Sequence, residues 1–274
     1  MQRPLVVAAV QLSSQGDVGA NLDRVDARVA EAAGHGATIV VLPENLAVFG
    51  DDDDKRAAAE DFSRSAPPGP IRKRLADAAR RHGVHLIAGG VPERSDDASR
   101  PFNACLVIDR TGEVTAVYRK IHLFDVELAD GATYRESAST SPGARAVVVD
   151  LDGAKVGLSV CYDLRFPELY RALAAEGAEV LVVPAAFTVT TGKDHWMVLL
   201  RARAIESQAY VIAAAQWGKH SRGRQTFGKS CVVDPWGEVI AQVSEGEGVA
   251  IARLDPAYLE RVRANLPALK HRRL

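Results

Sequence analysis

The sequence predicts an α/β protein whose two mixed sheets pack face to face with helices outside, an α-β-β-α sandwich, and three observations lead there. Apolar runs of strand length alternate with segments of helical period along the chain. The runs are continuously aliphatic, as in strands buried on both faces. The order of elements also repeats. EAAGHGATIVVLPE (31–44) aligns without gaps with ALAAEGAEVLVVPA (172–185), and VHLIAGG (84–90) resembles YVIAAAQ (210–216). CLVIDRTGEVTA (105–116) resembles CVVDPWGEVIA (231–241) with one residue deleted. Three similarities in the same order imply an internal duplication, so the expectation is one domain over 1–274 made of two related halves.

The elements follow in order. LVVAAVQL (5–12) reads as a buried strand, and NLDRVDARVAEAAGHG (21–36) as a helix with Asn21 at its N-cap and glycine at its end. TIVVLPE (38–44) is the next buried strand. The acidic run Asp51 to Asp54 lacks hydrophobic periodicity and is expected to be a solvated loop. Consecutive carboxylates cannot converge on one ion, and their spacing is not that of a calcium loop. SAPPGP (65–70) is a turn opening a helix near 70–82, followed by strand VHLIAGG. NACLVID and EVTAVYRK form a hairpin joined at Arg110-Thr111-Gly112. The basic runs RKR (72–74) and KHRRL (270–274) are expected on solvated or interface surface.

A chain of 274 residues with 47% hydrophobic content can bury a sizeable core. Its 34 basic residues nearly cancel its 35 acidic ones, so no net field draws nucleic acid or an anionic membrane, and a small-molecule partner is the default. Cys105, Cys161 and Cys231 are far apart and odd in number, which argues against a disulfide framework or zinc knuckle and for a reducing cytoplasm. The N-terminal apolar run is too short for a secretion signal, and no stretch is long enough to span a bilayer.

Functional groups in α/β sheets collect beyond the carboxyl ends of strands. Three reactive side chains are expected there: Glu44 after TIVVLP, Lys120 after EVTAVYR and Cys161 after AKVGLSV. Singly, each has a plainer reading. A glutamate can start a helix, a lysine can be solvated, and free cysteine is commonly inert core. Together they make chemical sense, because a thiol needs a base to become a thiolate and a cation to stabilise the oxyanion its attack creates. Pro167 opens a helix near the sulfur, so its dipole and Lys120 are expected to lower the thiol pKa, and the Tyr162 N–H to face an oxyanion. A papain-like neighbourhood, a phosphatase Cys-x5-Arg loop and Cys-x-x-Cys are absent, as are His-Glu-x-x-His, P-loop and G-x-G-x-x-G motifs. A Cys-His dyad using His122 or His195 stays open on spacing alone.

VLPEN around Glu44, YRKIHLFDVE around Lys120 and CYDLRFPEL around Cys161 resemble the three catalytic motifs of the nitrilase superfamily of carbon–nitrogen hydrolases. The resemblance runs from AAVQL (8–12) to HRR (271–273). It implies the same sandwich and a Glu-Lys-Cys triad. Cys161 would be nucleophile, Glu44 general base and acid, and Lys120 stabiliser of the tetrahedral intermediate. A second glutamate that supports the lysine matches Glu136 in TYRES better than Glu127. No metal or organic cofactor is implied. The proposed cycle passes through a Cys161 thioester that water activated by Glu44 then hydrolyses.

GAEVLVVPAAFTVTTGKDHWMVLLRARAIESQAYVIAAAQWGKH (177–220), VVDPWGEV (232–239) and SEGEG (244–248) resemble the branch that hydrolyses deaminated glutathione. TTG, HW and HLFD are shared with ω-amidases acting on 2-oxoglutaramate. Nitrile and N-carbamoyl substrates are further options for the same triad. Both 2-oxo acid substrates need a cation for their carboxylate. Arg165 is the candidate, with Phe187 and Thr191 lining the pocket by resemblance; the plainer readings pair Arg165 with Asp163 or Glu168 and place Phe187 in the core. Relatives commonly continue past HRR with a short tail, whereas this sequence ends at Leu274. The resemblance also implies a homodimer or higher homo-oligomer.

Overall fold

The structure, a computed structural model, describes residues 1–63, 65–127, 131 and 133–273. The first half contributes β1 (Leu5–Gln11), β2 (Ile39–Leu42), β3 (His85–Glu93), β4 (Phe102–Ile108) and β5 (Val114–Arg119). A short hairpin follows, β6 (Asp125–Glu127) and β7 (Thr133–Arg135). The second half contributes β8 (Val148–Leu151), β9 (Ala154–Leu158), β10 (Val180–Ala185) and β11 (Tyr210–Ala215). Another short hairpin, β12 (Trp217–Lys219) and β13 (Gln225–Phe227), precedes β14 (Cys231–Val233), β15 (Val239–Gln242) and β16 (Gly248–Leu254). The helices are α1 (Val18–Gly34), α2 (Asp52–Ala57), α3 (Pro70–His82), α4 (Pro167–Ala175), α5 (Val189–Thr191), α6 (Met197–Ser207) and α7 (Pro256–Asn265).

The duplication expected from the sequence is visible as repeated topology. One sheet has the order β16-β1-β2-β3-β4-β5 and the other β15-β14-β11-β10-β9-β8. In the first, β1, β2 and β3 run parallel and β4 and β5 turn back antiparallel. In the second, β9, β10 and β11 run parallel and β14 and β15 turn back in the same way. The aligned segments are therefore equivalent strands, β2 with β10, β3 with β11, and the β4–β5 hairpin with β14–β15.

Period-two side chains explain why the strand runs are apolar throughout. Val7 and Ala9 of β1, Val41 of β2 and Val107 of β4 face a core shared with Val156, Val182 and Val232 of the other sheet. Their neighbours Ala8, Val10, Val40 and Leu106 face outward onto Leu22, Val25 and Val29 of α1 and Leu75 of α3. Helices α4 and α6 cover the second sheet, where Leu173, Leu200 and Ala204 join the core. Cys105 and Cys231 are fully buried in it. Burial pushes the Cys231 thiol up to about 12, which keeps it protonated and unreactive.

Three local expectations are corrected. Asn21 does not cap α1; the helix starts earlier, and the Asp17 side chain accepts from the Ala20 N–H at 2.9 Å. Asn21 is buried in the first turn, where its amide donates to the carbonyls of Gln15 (2.7 Å) and Ala47 (2.9 Å). The acidic run is a helix start and no loop. Asp51 accepts from the Asp54 N–H (2.8 Å) and Asp54 from the Asp51 N–H (2.9 Å), a capping box with acidic groups at the positive end of the helix dipole. The RKR run is split: Arg72 is buried and donates to the carbonyls of Ser63 and Ala66, while Arg74 pairs with Asp23 of α1 at the surface. Lys270 to Arg273 are exposed as expected, and Leu274 lies outside the described residues.

The two sheets approach tightly at the glycine pair of β3. A Cβ on Gly89 would lie 2.0 Å from Pro184 Cβ of β10. At Gly90, with φ +64°, a Cβ would lie 2.5 Å from both Asn45 N and Glu44 Cγ. The β3–β4 register shifts between Ala88 and Val91, so the bulge clears the space that Glu44 occupies. Gly89→Ala should therefore destabilise the fold by about 1–3 kcal/mol through overpacking against a rigid proline ring, measured as a lower urea midpoint at unchanged slope. An unchanged midpoint would show that the sheets can separate there without cost.

Candidate active site

Glu44 follows β2 in a tight turn in which Asn45 adopts φ +58°. Its backbone is fixed from the opposite sheet: Gln216, just after β11, donates to the Glu44 carbonyl (3.0 Å) and to Ser14 Oγ (2.9 Å), and accepts from the Ser14 N–H (3.0 Å). Lys120 follows β5, and its N–H donates to the Asn103 carbonyl (2.9 Å). Glu136 opens a short 3-10 turn after β7 and accepts from the Phe124 N–H (2.7 Å). These connections bring two carboxylates to one ammonium. Lys120 Nζ lies 3.0 Å from Glu44 Oε1 and 2.8 Å and 3.1 Å from the two oxygens of Glu136.

Lys120 is 2% exposed and Glu44 4%, so the charges stand in a weakly screened setting where mutual attraction decides protonation. Burial alone would lower the Lys120 pKa, but Glu136 and Glu44 outweigh it and hold the ammonium well above the ordinary lysine value. Burial alone would raise the Glu136 pKa; Lys120 and the Phe124 N–H outweigh it and hold it below the usual value. Asn103 was missed in the sequence. Its amide nitrogen donates to Glu44 Oε1 (2.9 Å) and Glu136 Oε1 (3.1 Å), tying the carboxylates together. A polar residue heading the aliphatic run NACLVID was the available signal.

Cys161 follows β9 and starts a 3-10 turn, Cys161–Arg165, with φ +49°. A side chain with a Cβ is strained in this region by about 1–3 kcal/mol and stays there only when its surroundings enforce it. Asp163 does so. Its fully buried carboxylate accepts from the Val160 N–H (2.9 Å), the Tyr118 hydroxyl (2.6 Å), the His122 N–H (3.0 Å) and His122 Nδ1 (2.7 Å). The thiol lines the same cavity as the Glu44 carboxylate, Lys120 and Ala186.

The expected lowering of the thiol pKa is corrected. Burial, then the adjacent Glu44 carboxylate, raise it well above the ordinary cysteine value, and Lys120 and the Ala186 N–H only partly oppose them. Helix α4 begins at Pro167, beyond the intervening 3-10 turn, so its dipole does not decide the balance. The resting group is a thiol beside a base.

These side chains open onto a cavity of about 190 Å³, which Tyr162, Arg165, Phe187 and Thr191 also line. Arg165 lies over the Phe187 ring (5.3 Å) and within 3.2 Å of His195 Nδ1. It is not paired with Asp163, whose acceptors are engaged as described, nor with Glu168 among the described residues. Phe187 is both core and wall, 6% exposed against Trp196. Glu127 is exposed and pairs with Arg135 (3.1 Å), so Glu136 is the glutamate beside Lys120. His122 is bound to Asp163 and stacked on Phe166 at 3.7 Å, and neither it nor His195 lines the cavity, which leaves the Cys-His dyad without support.

A thiol, a carboxylate able to take its proton and a fixed ammonium, buried together in a cleft between two sheets, are the equipment of a thiol hydrolase that passes through an acyl-enzyme. The Carbon-nitrogen hydrolase family model matches residues 6–264, and the chain belongs to that family, whose members hydrolyse carbon–nitrogen bonds other than peptide bonds. A deaminated glutathione amidase of Synechocystis sp. is 43% identical over 98% of both chains. The deaminated glutathione amidase of Homo sapiens is 44% identical over 98% of this chain and 82% of its own. The crystal structure of Saccharomyces cerevisiae Nit3, a member of branch 10 of the nitrilase superfamily, superposes with a TM-score of 0.89 at 32% identity, covering 99% of this chain and 97% of that one.

Removing a carboxylate from beside a thiol makes its thiolate easier to form, and removing the ammonium makes it harder. Thiolate absorbance, taken as the difference from Cys161→Ser, should therefore rise at lower pH in Glu44→Gln than in the native protein, and at higher pH in Lys120→Met. A native inflection below that of Glu44→Gln would show that the helix dipole and Lys120 govern the thiol after all.

Proposed function

We propose that the protein is a thiol amidase that hydrolyses the amide bond of a 2-oxo acid amide, with deaminated glutathione as substrate. The observation that carries this reading is the convergence of Cys161, Glu44, Lys120 and Glu136 on one cavity, with Glu44 anchored on the Lys120 ammonium. Relatives from a cyanobacterium and a mammal with the deaminated glutathione amidase name support the choice of substrate. Arg165 at the cavity wall is suited to the 2-oxo acid carboxylate, with Phe187 and Thr191 beside it.

In the proposed cycle Glu44 takes the Cys161 proton as sulfur attacks the amide carbon. Lys120 and the Tyr162 N–H hold the oxyanion, while Glu136 and Asn103 keep Lys120 and Glu44 in place. The C–N bond breaks as Glu44 returns the proton to the leaving nitrogen. Water, deprotonated by Glu44, then cleaves the thioester and restores the thiol. The products are 2-oxoglutarate and cysteinylglycine.

We also propose a reducing, cytoplasmic setting, in keeping with three free cysteines, and a homodimer or higher homo-oligomer. Val198, Ile205, Trp236 and Ile240 are exposed large apolar residues on α6 and around the β14–β15 hairpin that such an assembly could cover; light scattering should give at least twice the mass of one chain.

Mass spectrometry of the reaction should detect both products. Cys161→Ala should abolish them, and Glu44→Gln should lower kcat about 100- to 10,000-fold, the range for loss of a general base. No turnover of deaminated glutathione, with rapid release of ammonia from 2-oxoglutaramate, would move the protein to the ω-amidase reaction.

A further inference from the structure

Among the described residues, five cationic side chains line the cavity: Lys55, Lys120, Arg135, Arg165 and Arg224. Lys120 is committed to Glu44 and Glu136, Arg135 is paired with Glu127, and Arg165 lies over Phe187 beside His195. Lys55 on α2 and Arg224 ahead of β13 form no ion pair within 4.0 Å among the described residues. They come from distant parts of the sequence but share one wall. The Phe49 ring ahead of α2 stacks on His220 at 3.9 Å, 10° from parallel. His220 is in turn held by the Ser14 carbonyl (2.7 Å) and Thr226 Oγ1 (2.6 Å), which follows Arg224 by two residues. Lys55 carries the mark of this placement: burial lowers its pKa, Glu136 opposes, and Arg224 lowers it further. Asp52 lines the same wall and offsets part of the charge.

The tetrahedral carbon carries the Cys161 sulfur, an oxyanion at Lys120 and the Tyr162 N–H, the acyl chain, and the leaving nitrogen, which must reach Glu44 to receive its proton. An acyl carboxylate held at Arg165, over the Phe187 ring, leaves Lys55 and Arg224 without an anion in the same cavity. The cleft thus has one cation for the acyl carboxylate and a separate cationic pair for an anionic group at the other end of the substrate.

We infer that Lys55 and Arg224 form a second anion subsite that selects amides whose amine portion carries a carboxylate. The inference rests on the reading of the chain as an amidase of 2-oxo acid amides and adds a requirement on the other side of the scissile bond. Deaminated glutathione meets it, because its cysteinylglycine portion ends in a carboxylate. A primary amide that releases ammonia places nothing there. Arg224 is exposed and Lys55 half-buried, so water screens the contact and discrimination is set by binding.

The experiment compares deaminated glutathione with its C-terminal carboxamide, which keeps the acyl chain and scissile bond and lacks only the distal charge. The native enzyme should show a KM for the carboxamide about tenfold or more higher, the scale of one charge-assisted hydrogen bond, at similar kcat. In the Lys55→Gln/Arg224→Gln double variant that ratio of KM values should fall to near one, and Lys55→Arg/Arg224→Lys should restore it. A native ratio near one, or a ratio that survives in the double variant, overturns the inference while leaving the amidase reading intact. Turnover of neither compound by the native enzyme overturns both.

Discussion

The buried ammonium of Lys120 between Glu44 and Glu136 is the interaction on which the rest of the site depends. An isolated charge at this depth would lose its hydration with nothing in return, and each carboxylate would be driven to take up a proton. Lys120 and Glu136 hold each other ionised, and Asn103 ties the two carboxylates with one amide nitrogen. One cation against two anions leaves local charge of the same sign as a thiolate. Cys161 therefore rests protonated, and its proton has a defined destination in Glu44. The site stores a base rather than a nucleophile, which keeps the sulfur chemically quiet until an amide carbon is in place.

Holding that cluster requires both halves of the duplicated fold. Glu44, Lys120 and Glu136 arise from loops after strands of the first half, and Cys161 from the loop after the first parallel strand of the second sheet. The glycine bulge of β3 admits Glu44 from one side, and Gln216, after the equivalent strand β11, clamps its backbone from the other. The alignment of VHLIAGG with YVIAAAQ places Gly90 opposite Gln216. Pseudo-equivalent positions have thus taken complementary tasks around one residue, the first by removing a side chain and the second by adding an amide.

Much of this was legible in the sequence, for a physical reason. Strands buried on both faces must be apolar throughout, so the sheet strands and their repeat stood out, and a reactive side chain after such a run is conspicuous. Glu44, Lys120, Cys161 and Glu136 were found in this way or through motifs around them, and the structure brings them together. What escaped depends on contacts between distant segments. Asn21 looked like a cap because its partners, Gln15 and Ala47, are not adjacent in the sequence. The acidic run hid both a capping box and Lys55. The sign of the Cys161 shift was misjudged because helix dipole and lysine are readable locally, whereas burial and the approach of Glu44 are products of the sandwich. Asp163 was read only as a partner for Arg165, since nothing local reveals that four donors converge on it.

The left-handed backbone at Cys161 has an implication for what kind of object this site is. Residue 161 is a position where glycine or asparagine would relax the chain, and where a cysteine is tolerated only because Asp163 and its donors enforce the turn. The backbone at this position favours a residue other than the one the chemistry requires. Stability and sulfur chemistry pull in opposite directions at a single residue, and a search for hardier variants by thermal screening alone would tend to replace the very atom that reacts.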